Sequence, residues 1–165
     1  MSILKIRKFN DPVLRKRAKR VWKIDEEIHR LILNMEETIK EKQGVGLAAP
    51  QIGVLKKAIV VETDPRTQKT IALINPKIVK KSKEKSSYTE GCLSFPDIFL
   101  EIRRPRQVTV KGQDMNGRKI EIKADGLLAR VLQHEIDHLN GIVFLDRLRL
   151  LERIKFKLKN FNIKL

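Results

Sequence analysis

The residues best suited to chemistry are two histidines four positions apart, His134 and His138. On a helix this spacing places both imidazoles on one face, within reach of a single metal ion. Glu135 lies between them, off the ligand axis, and is suited to act as a general base on a metal-bound water. Two of the chain's three histidines lie in this motif. The pattern therefore predicts a metal-dependent hydrolase and not two unrelated helical histidines.

A third metal ligand has to come from elsewhere in the chain. Metzincin proteases carry a histidine at the position occupied here by Phe144. Glu152 is the only glutamate downstream, so a thermolysin-like helix ligand has little support. Upstream, the chain's one cysteine, Cys92, follows Gly91, and a thiolate binds zinc or ferrous iron well. We favour Cys92 as the third ligand over the alternative that it is a small buried apolar residue.

A loop of small residues runs from Gly44 to Gln51. Its glycines and Ala49 fit a loose dinucleotide-binding fingerprint, which requires a strand before it and a helix after it. A helix is predicted before this loop, and Pro50 obstructs a helix after it. We interpret the segment as a loop whose glycines expose backbone groups to an extended substrate. Gln51 then places a side-chain amide near the site.

Two helices are predicted to frame these groups. The first runs from Asp25, as N-cap, to about Lys42, with Gly44 as its stop. The second runs from about Asp125 to Leu139 and is closed by the Asn140-Gly141 pair. It carries both histidines, and Leu127 and Val131 extend their face, so the site is expected to look into the core.

Strands are predicted between the two helices. Residues 58–61, 71–74 and 77–79 are strand-like, with Asn75-Pro76 interrupting the last two. Residues 107–111 and 119–123 alternate with period two around Asn116-Gly117, a pattern typical of a hairpin. Helix, strands and helix in this order predict an α+β fold, with a helix carried on mainly antiparallel sheets.

Composition restricts the class of protein. The 165 residues suit one domain, 1–165, and a single cysteine excludes a disulfide-stapled secreted module. No apolar run approaches a membrane span and the charged N-terminus lacks a secretory signal, so we expect a cytoplasmic protein without membrane contact. No exposed apolar stripe is evident, so a monomer is expected. The formal net charge of +16 either attracts a polyanion such as RNA or a ribosome surface, or reflects composition bias.

The basic C-terminal segment, residues 146–165, fits two structures. Apolar residues at 150, 154 and 158 suit a docked amphipathic helix. Apolar residues that alternate with lysines between Ile154 and Lys159 suit a strand equally well. Both structures remain open from the sequence.

Three motifs together resemble the signature motifs of bacterial peptide deformylases. They are Gly44-Val45-Gly46-Leu47-Ala48-Ala49-Pro50-Gln51, Glu90-Gly91-Cys92-Leu93-Ser94 and Gln133-His134-Glu135-Ile136-Asp137-His138-Leu139-Asn140-Gly141. Their order and separation also agree with that family, and 11–15 resembles its N-terminal segment. The resemblance implies an α+β fold with antiparallel sheets around a central helix. It also implies a metallohydrolase that removes the formyl group from N-formylmethionine of nascent polypeptides.

The resemblance assigns roles residue by residue. Cys92, His134 and His138 would hold one divalent metal, usually ferrous iron in this family, although zinc, nickel and cobalt fit the ligands too. Glu135 would act as general base and then acid on the metal-bound water that attacks the formyl carbon. The Gln51 side chain and the Leu93 N–H would stabilise the oxyanion, and the Gly46 backbone would bind the peptide. Val45, Leu93 and Val131 would line the methionine pocket. Glu90 would order the strand that carries Cys92. A basic tail in similar enzymes implies weak electrostatic contact with the ribosome.

Two other functions are compatible with parts of this pattern. A zinc endopeptidase would use the same histidines but needs a third ligand other than Cys92. A basic RNA-binding protein with an inactive site would account for the charge. Intact Glu135 and a complete ligand set argue against an inactive site.

Overall fold

The computed structural model describes residues 2–64 and 69–159. Its helices are α1 (Glu26–Glu41), α2 (Gly126–Leu139) and α3 (Leu150–Lys159), and 3-10 turns occur at Pro12–Arg15, Ala49–Ile52 and Phe144–Arg147. Its strands are β1 (Gly46–Ala48), β2 (Ala58–Asp64), β3 (Lys69–Lys81), β4 (Lys85–Cys92), β5 (Phe95–Pro105), β6 (Gln107–Gln113) and β7 (Lys119–Asp125).

Two antiparallel sheets surround α2. One has the strand order β1-β2-β3-β6-β7, and the other is the β4-β5 hairpin. Every pairing between these strands is antiparallel. The predicted α+β fold with a central helix is therefore confirmed.

Helix α2 is the element around which the core is built. The Asp125 carboxylate accepts from the Gly126 N–H at 2.6 Å and caps the helix N-terminus. All residues from Ala129 to Leu139 are buried. The helix ends at Asn140, and Gly141 follows at φ 71°, close to the Arg15 carbonyl oxygen. Both predicted boundary signals of this helix are confirmed.

Three local predictions need correction. Asn75 and Pro76 do not end a strand but form a bulge inside β3, where Asn75 adopts φ 53° and its side chain bonds both backbone groups of Val21. Helix α1 ends at Glu41 with Lys42 as its C-cap, as predicted, but Gln43 and not Gly44 takes the left-handed conformation after it, at φ 51°. Leu127 is 52% exposed, so the histidine face reaches solvent at its N-terminal end.

Within the C-terminal segment, residues Leu150–Lys159 form a helix, α3, and not a strand, and residues 160–165 lie outside the described part of the chain. Its predicted docking face is wrong, because Leu150, Ile154 and Leu158 are all exposed. Phe156 instead packs against the cluster formed by Phe95, Ile102 and residues 143–145. Lys164 lies outside the described residues. Within 2–64 and 69–159, no helix combines the length and the apolar character that crossing a bilayer requires.

Candidate active site

Three ligand atoms converge where the end of β4 meets α2. His134 and His138 lie one turn apart on α2, and their Nε2 atoms are 3.3 Å from each other. The Cys92 Sγ atom lies 3.3 Å from Nε2 of His138. The three ligand atoms all lie within 4.8 Å of one another. Two imidazole nitrogens and one thiolate form a donor set that zinc and ferrous iron accept.

The orientation of His134 supports a metal at this point. Its Nδ1 donates to Oε2 of the buried Glu90 at 3.0 Å, which leaves Nε2 directed toward Cys92 and His138. Burial lowers the pKa of His134, but the hydrogen bonds with Cys92 and Glu90 raise it well above its usual range. Burial and the neighbouring His134 lower the pKa of His138 well below its usual range. A cation that binds both Nε2 atoms would displace the proton held here, so the ligands fit a metal ion.

A buried ion network surrounds Glu90. Its carboxylate accepts from Arg104 Nε at 2.7 Å and from Arg130 Nη1 at 2.8 Å, in addition to His134. Arg104 also donates to Asp137 at 2.6 Å, and Arg147 binds the same carboxylate. Burial raises the pKa of Glu90, but the hydrogen bonds from His134 and Arg104 dominate and bring it to about 2. The network joins β4, β5 and α2 directly behind the candidate ligands.

Glu135 lies on the side of α2 that faces β1. It is buried, and a Cβ atom on Gly46 would lie 2.6 Å from its Oε1. Burial raises the pKa of Glu135 to about 7, although the positive charges of His134 and Arg104 oppose this rise. Its Oε2 has no hydrogen-bond partner in the described part of the chain. A carboxyl group with these properties can both take and give a proton near neutral pH.

Gln51 is held with its amide nitrogen toward Cys92. Its Oε1 accepts from the Ala48 N–H at 2.7 Å. Its Nε2 therefore lies toward Cys92 Sγ, at 3.5 Å, and Ser94 Oγ, at 3.4 Å. Pro50 fixes the short 3-10 turn Ala49–Ile52 that carries this side chain.

A cleft of about 520 Å³ opens beside these groups. Its lining includes nine of the ten residues given a role from the sequence: Val45, Gly46, Gln51, Glu90, Cys92, Leu93, Val131, His134 and Glu135. The tenth, His138, is 1% exposed and lies beneath the cleft, in contact with Cys92 and His134. Phe144, at the position where metzincins carry a ligand, is buried with its ring centroid 5.9 Å from that of His134. Glu152, in the first turn of α3, accepts from the backbone N–H of Arg149, the residue before the helix.

Comparisons with known proteins agree with this arrangement. The model of the family described as polypeptide deformylase matches residues 3–154. The chain belongs to the polypeptide deformylase family. It is similar to a peptide deformylase of Thermodesulfovibrio yellowstonii, with 50% identity over 161 residues that cover 96% of this chain and 97% of that protein.

Solved structures of polypeptide deformylases have the same fold. A peptide deformylase from Thermus thermophilus superposes with a TM-score of 0.90 at 39% identity, covering 96% of this chain and 93% of that one. A peptide deformylase from Ehrlichia chaffeensis in complex with actinonin gives a TM-score of 0.88 at 43% identity, covering 96% and 98%. Members of this family are metal-dependent hydrolases that deformylate nascent peptides, and this is the function of the chain.

Several residues at this deformylase site were not identified from the sequence. Arg130 had a local signal, since it precedes His134 by four residues and shares its helix face. Asp137 lies inside the histidine motif, but no partner for its carboxylate could be predicted from the sequence. Arg104 had no sequence signal, because its two partners come from β4 and α2 and depend on their packing.

Proposed function

We propose that this chain removes the formyl group from N-formylmethionine at the start of nascent polypeptides, with Glu135 as the proton-transfer residue. One observation supports this assignment most strongly. A buried carboxyl group with a pKa of about 7 lies beside a Cys-His-His set, at the base of a cleft bordered by the Gly46 backbone. The arrangement provides a proton acceptor, a cation site and a backbone edge for an extended peptide.

Cys92, His134 and His138 are the proposed ligands of one divalent metal ion, and we propose ferrous iron. When bound, the metal acidifies a water molecule and polarises the formyl oxygen. Glu90 holds the ring of His134 through Nδ1, and the guanidinium groups of Arg104 and Arg130 hold Glu90 in turn. The chain thereby fixes the ligand geometry before any cation binds.

Glu135 moves the proton in the proposed reaction. It takes a proton from the water as the water oxygen attacks the formyl carbon, and it gives that proton to the departing amine nitrogen. The C–N bond breaks, so the products are formate and a peptide with a free methionyl amine. A pKa near neutrality suits both transfers, because the ionised and protonated forms are then close in free energy.

Two donors are proposed to stabilise the negative charge that develops on the formyl oxygen. Gln51 supplies its side-chain N–H, which Ala48 already orients toward Cys92. Leu93 supplies its backbone N–H from the turn after Cys92. Because Gln51 is buried and fixed, little reorganisation is needed when the charge appears.

The methionine pocket is proposed to lie between Val45, Leu93 and Val131, with the Gly46 backbone binding the peptide. Val131 is buried and lies against β1, because a Cβ on Gly46 would be 2.7 Å from its Cγ1. Val45 is half-exposed at the opening. The proposed pocket is thus lined by apolar side chains and reaches the surface at Val45.

The test compares a formyl-methionyl peptide with its non-formylated twin on anaerobically purified protein of measured metal content. We expect formate release from the first and no cleavage of either peptide at internal bonds. Cleavage inside both peptides would identify an endopeptidase and overturn the proposal. Competition by actinonin, which binds the related Ehrlichia chaffeensis enzyme, is expected to block formate release.

Contrary to the sequence-based expectation, α3 exposes an apolar stripe. We further propose that the enzyme is a cytoplasmic monomer formed by one domain, and that α3 contacts the ribosome and not a second copy of the chain. The exposed Leu150, Ile154 and Leu158 give this helix a free apolar side next to basic residues. Reversal of the lysines at 155, 157 and 159 to glutamate is expected to weaken ribosome co-sedimentation and to spare turnover of small peptides. Reversal of the exposed lysines at 80, 81 and 83 is the matched control. Unchanged co-sedimentation of the α3 variant would refute the contact.

A further inference from the structure

A strongly basic run of residues connects the first 3-10 turn to helix α1. Six of the nine residues 15–23 are lysine or arginine, against 36 of 165 in the whole chain. No acidic residue occurs between Asp11 and Asp25. We call residues 15–23 the N-terminal basic run. Its positive charge is concentrated well above the average of the chain, so a uniform composition bias does not account for it.

Hydrogen bonds hold the backbone of the N-terminal basic run against the body of the protein. The Ala18 N–H donates to the Leu139 carbonyl at 2.9 Å, and both backbone groups of Val21 bond the Asn75 side chain. Ala18 and Val21 are buried, whereas the other side chains of the run are exposed. The exposed side chains are therefore presented from a fixed backbone, which lowers the entropy cost of binding a ligand.

The cations of this run are free to bind an anion. Five of its six basic side chains, at positions 16, 17, 19, 20 and 23, are exposed and pair with no carboxylate of the described residues. The sixth, Arg15, binds Asp146. Lys56, whose backbone forms a bridge with Lys19, adds a cation beside the run. A row of unpaired cations without intervening carboxylates suits a ligand with repeated negative charges, such as a phosphate backbone.

An exposed aromatic side chain lies within the same row of cations. Trp22 is the single tryptophan of the chain and is 84% exposed. The Arg20 guanidinium lies over its ring, 4.6 Å from the ring centroid. One face of the indole therefore carries a cation, and the other face is open to solvent. An isolated exposed apolar residue is ordinary, but an open indole among free cations combines the two contacts that single-stranded nucleic acids need, a stacking platform and phosphate partners.

We propose that the N-terminal basic run is a binding surface for single-stranded RNA, in which a base stacks on Trp22 and the cations of the run neutralise flanking phosphates. A base inside a duplex has both faces covered, so stacking favours unpaired RNA. A lipid surface fits less well, because one ring buries far less apolar area than an amphipathic helix does. None of residues 15–23 lines the cleft, and the inference does not depend on the proposed function.

The experiment titrates the metal-loaded full chain with an unstructured, labelled RNA of about 12 nucleotides. It follows the anisotropy of the label and the fluorescence of Trp22, which is the only tryptophan and so reports the stacking directly. We expect this emission to be quenched as the RNA binds. Neutralisation of about four phosphates predicts an affinity that falls by about 50-fold between about 50 and 200 mM salt. A duplex of the same sequence is expected to bind more weakly and to leave the emission unchanged.

Substitutions separate the contribution of stacking from that of charge. Trp22→Leu is expected to weaken binding of the labelled RNA by about 5- to 150-fold, whereas Trp22→Phe keeps an aromatic face and is expected to retain part of the affinity. Arg17→Gln, Lys19→Gln and Lys23→Gln combined are expected to lower the slope of log affinity against log salt by about two. The matched control replaces the exposed lysines at 80, 81 and 83 by glutamine and is expected to bind as the unaltered chain does.

Each outcome decides the inference. RNA binding that leaves the Trp22 emission unchanged would overturn it, and this test uses the unaltered protein, so it stands even where a variant fails to fold. Equal affinity for the duplex, or undiminished affinity of folded Trp22→Leu, would reduce the contact to attraction between charges and would also overturn it. An equal loss in the control at 80, 81 and 83 would assign the effect to net charge alone. Binding to vesicles of anionic phospholipid without binding to RNA would assign the run to a lipid surface instead.

Discussion

Glu90→Gln is the substitution that tests the buried network most directly. Glutamine keeps the size of the side chain but removes the negative charge that Arg104, Arg130 and His134 share. The positive charges of Arg104 and Arg130 would then be buried with less negative charge to balance them. Asp137 would be the remaining carboxylate partner of Arg104. Removing one partner of a buried ion pair typically costs about 3–5 kcal/mol.

The acid dependence of folding gives a second measure of the same interaction. The pKa of Glu90 falls from 4.5 to about 2 on folding, a difference that corresponds to about 3 kcal/mol. Because the folded value is the lower one, this stabilisation is fully present above pH 4.5. It is lost as the pH falls from 4.5 toward 2. Glu90→Gln is thus expected to cost about 3 kcal/mol at neutral pH and to flatten the decline between these values.

The assay is urea unfolding of both proteins across this pH range, with metal affinity measured on the same samples. Glutamine at position 90 supports His134 less well, so metal binding is expected to weaken by about 10- to 100-fold. Glu84→Gln is the control, because Glu84 is an exposed carboxylate paired with Arg106 at 3.0 Å, and such pairs are worth about 0–1 kcal/mol. Equal stabilities of the Glu90→Gln and Glu84→Gln proteins at neutral pH would refute the reasoning.

Three further predictions concern the catalytic groups. Glu135→Gln is expected to keep the metal and to lower kcat by about 10²- to 10⁴-fold, and near-normal turnover of the metal-replete variant would exclude the proton-transfer role. Gly46→Ala introduces a Cβ 2.6 Å from Oε1 of Glu135 and is expected to lower kcat by up to about 10²-fold. Gly44→Ala is its control, because its Cβ would lie 3.0 Å from the flexible end of Leu93 and 3.8 Å from the Gly46 carbonyl oxygen, an ordinary contact, and equal losses would contradict the argument. Cys92→Ser is expected to weaken metal retention in anaerobic dialysis and to remove peroxide sensitivity of the site. Unchanged affinity would show that the thiolate is not a ligand.

The parts of this structure that could be predicted from sequence are those with local signals. Helix α2 has a capping Asp125, a closing Asn140-Gly141 pair and ligands at helical spacing, and all three appear as expected. The hairpin at Asn116-Gly117 likewise follows from turn chemistry, with Gly117 at φ 78°. In each case the determining atoms lie within a few residues of one another.

The features that sequence reasoning missed depend on contacts between distant segments. The bulge at Asn75 is held by hydrogen bonds to Val21, 54 residues away, and no local pattern encodes that partner. In α3, the periodicity correctly allowed a helix but identified the wrong buried side. Phe156 packs against the core cluster, whereas Leu150, Ile154 and Leu158 are exposed.

Helix α2 also explains why two sheets are required. Around its circumference the helix presents ligands toward Cys92, Glu135 toward β1, and Arg130 and Asp137 toward the β4-β5 network. A helix packed on a single sheet would leave some of these polar groups in solvent, where a carboxyl pKa near 7 could not be maintained by burial. The chemistry thus requires that α2 is enclosed by the five-stranded sheet on one side and by the β4-β5 hairpin on the other. This enclosure keeps Glu135 protonatable while Glu90 stays charged.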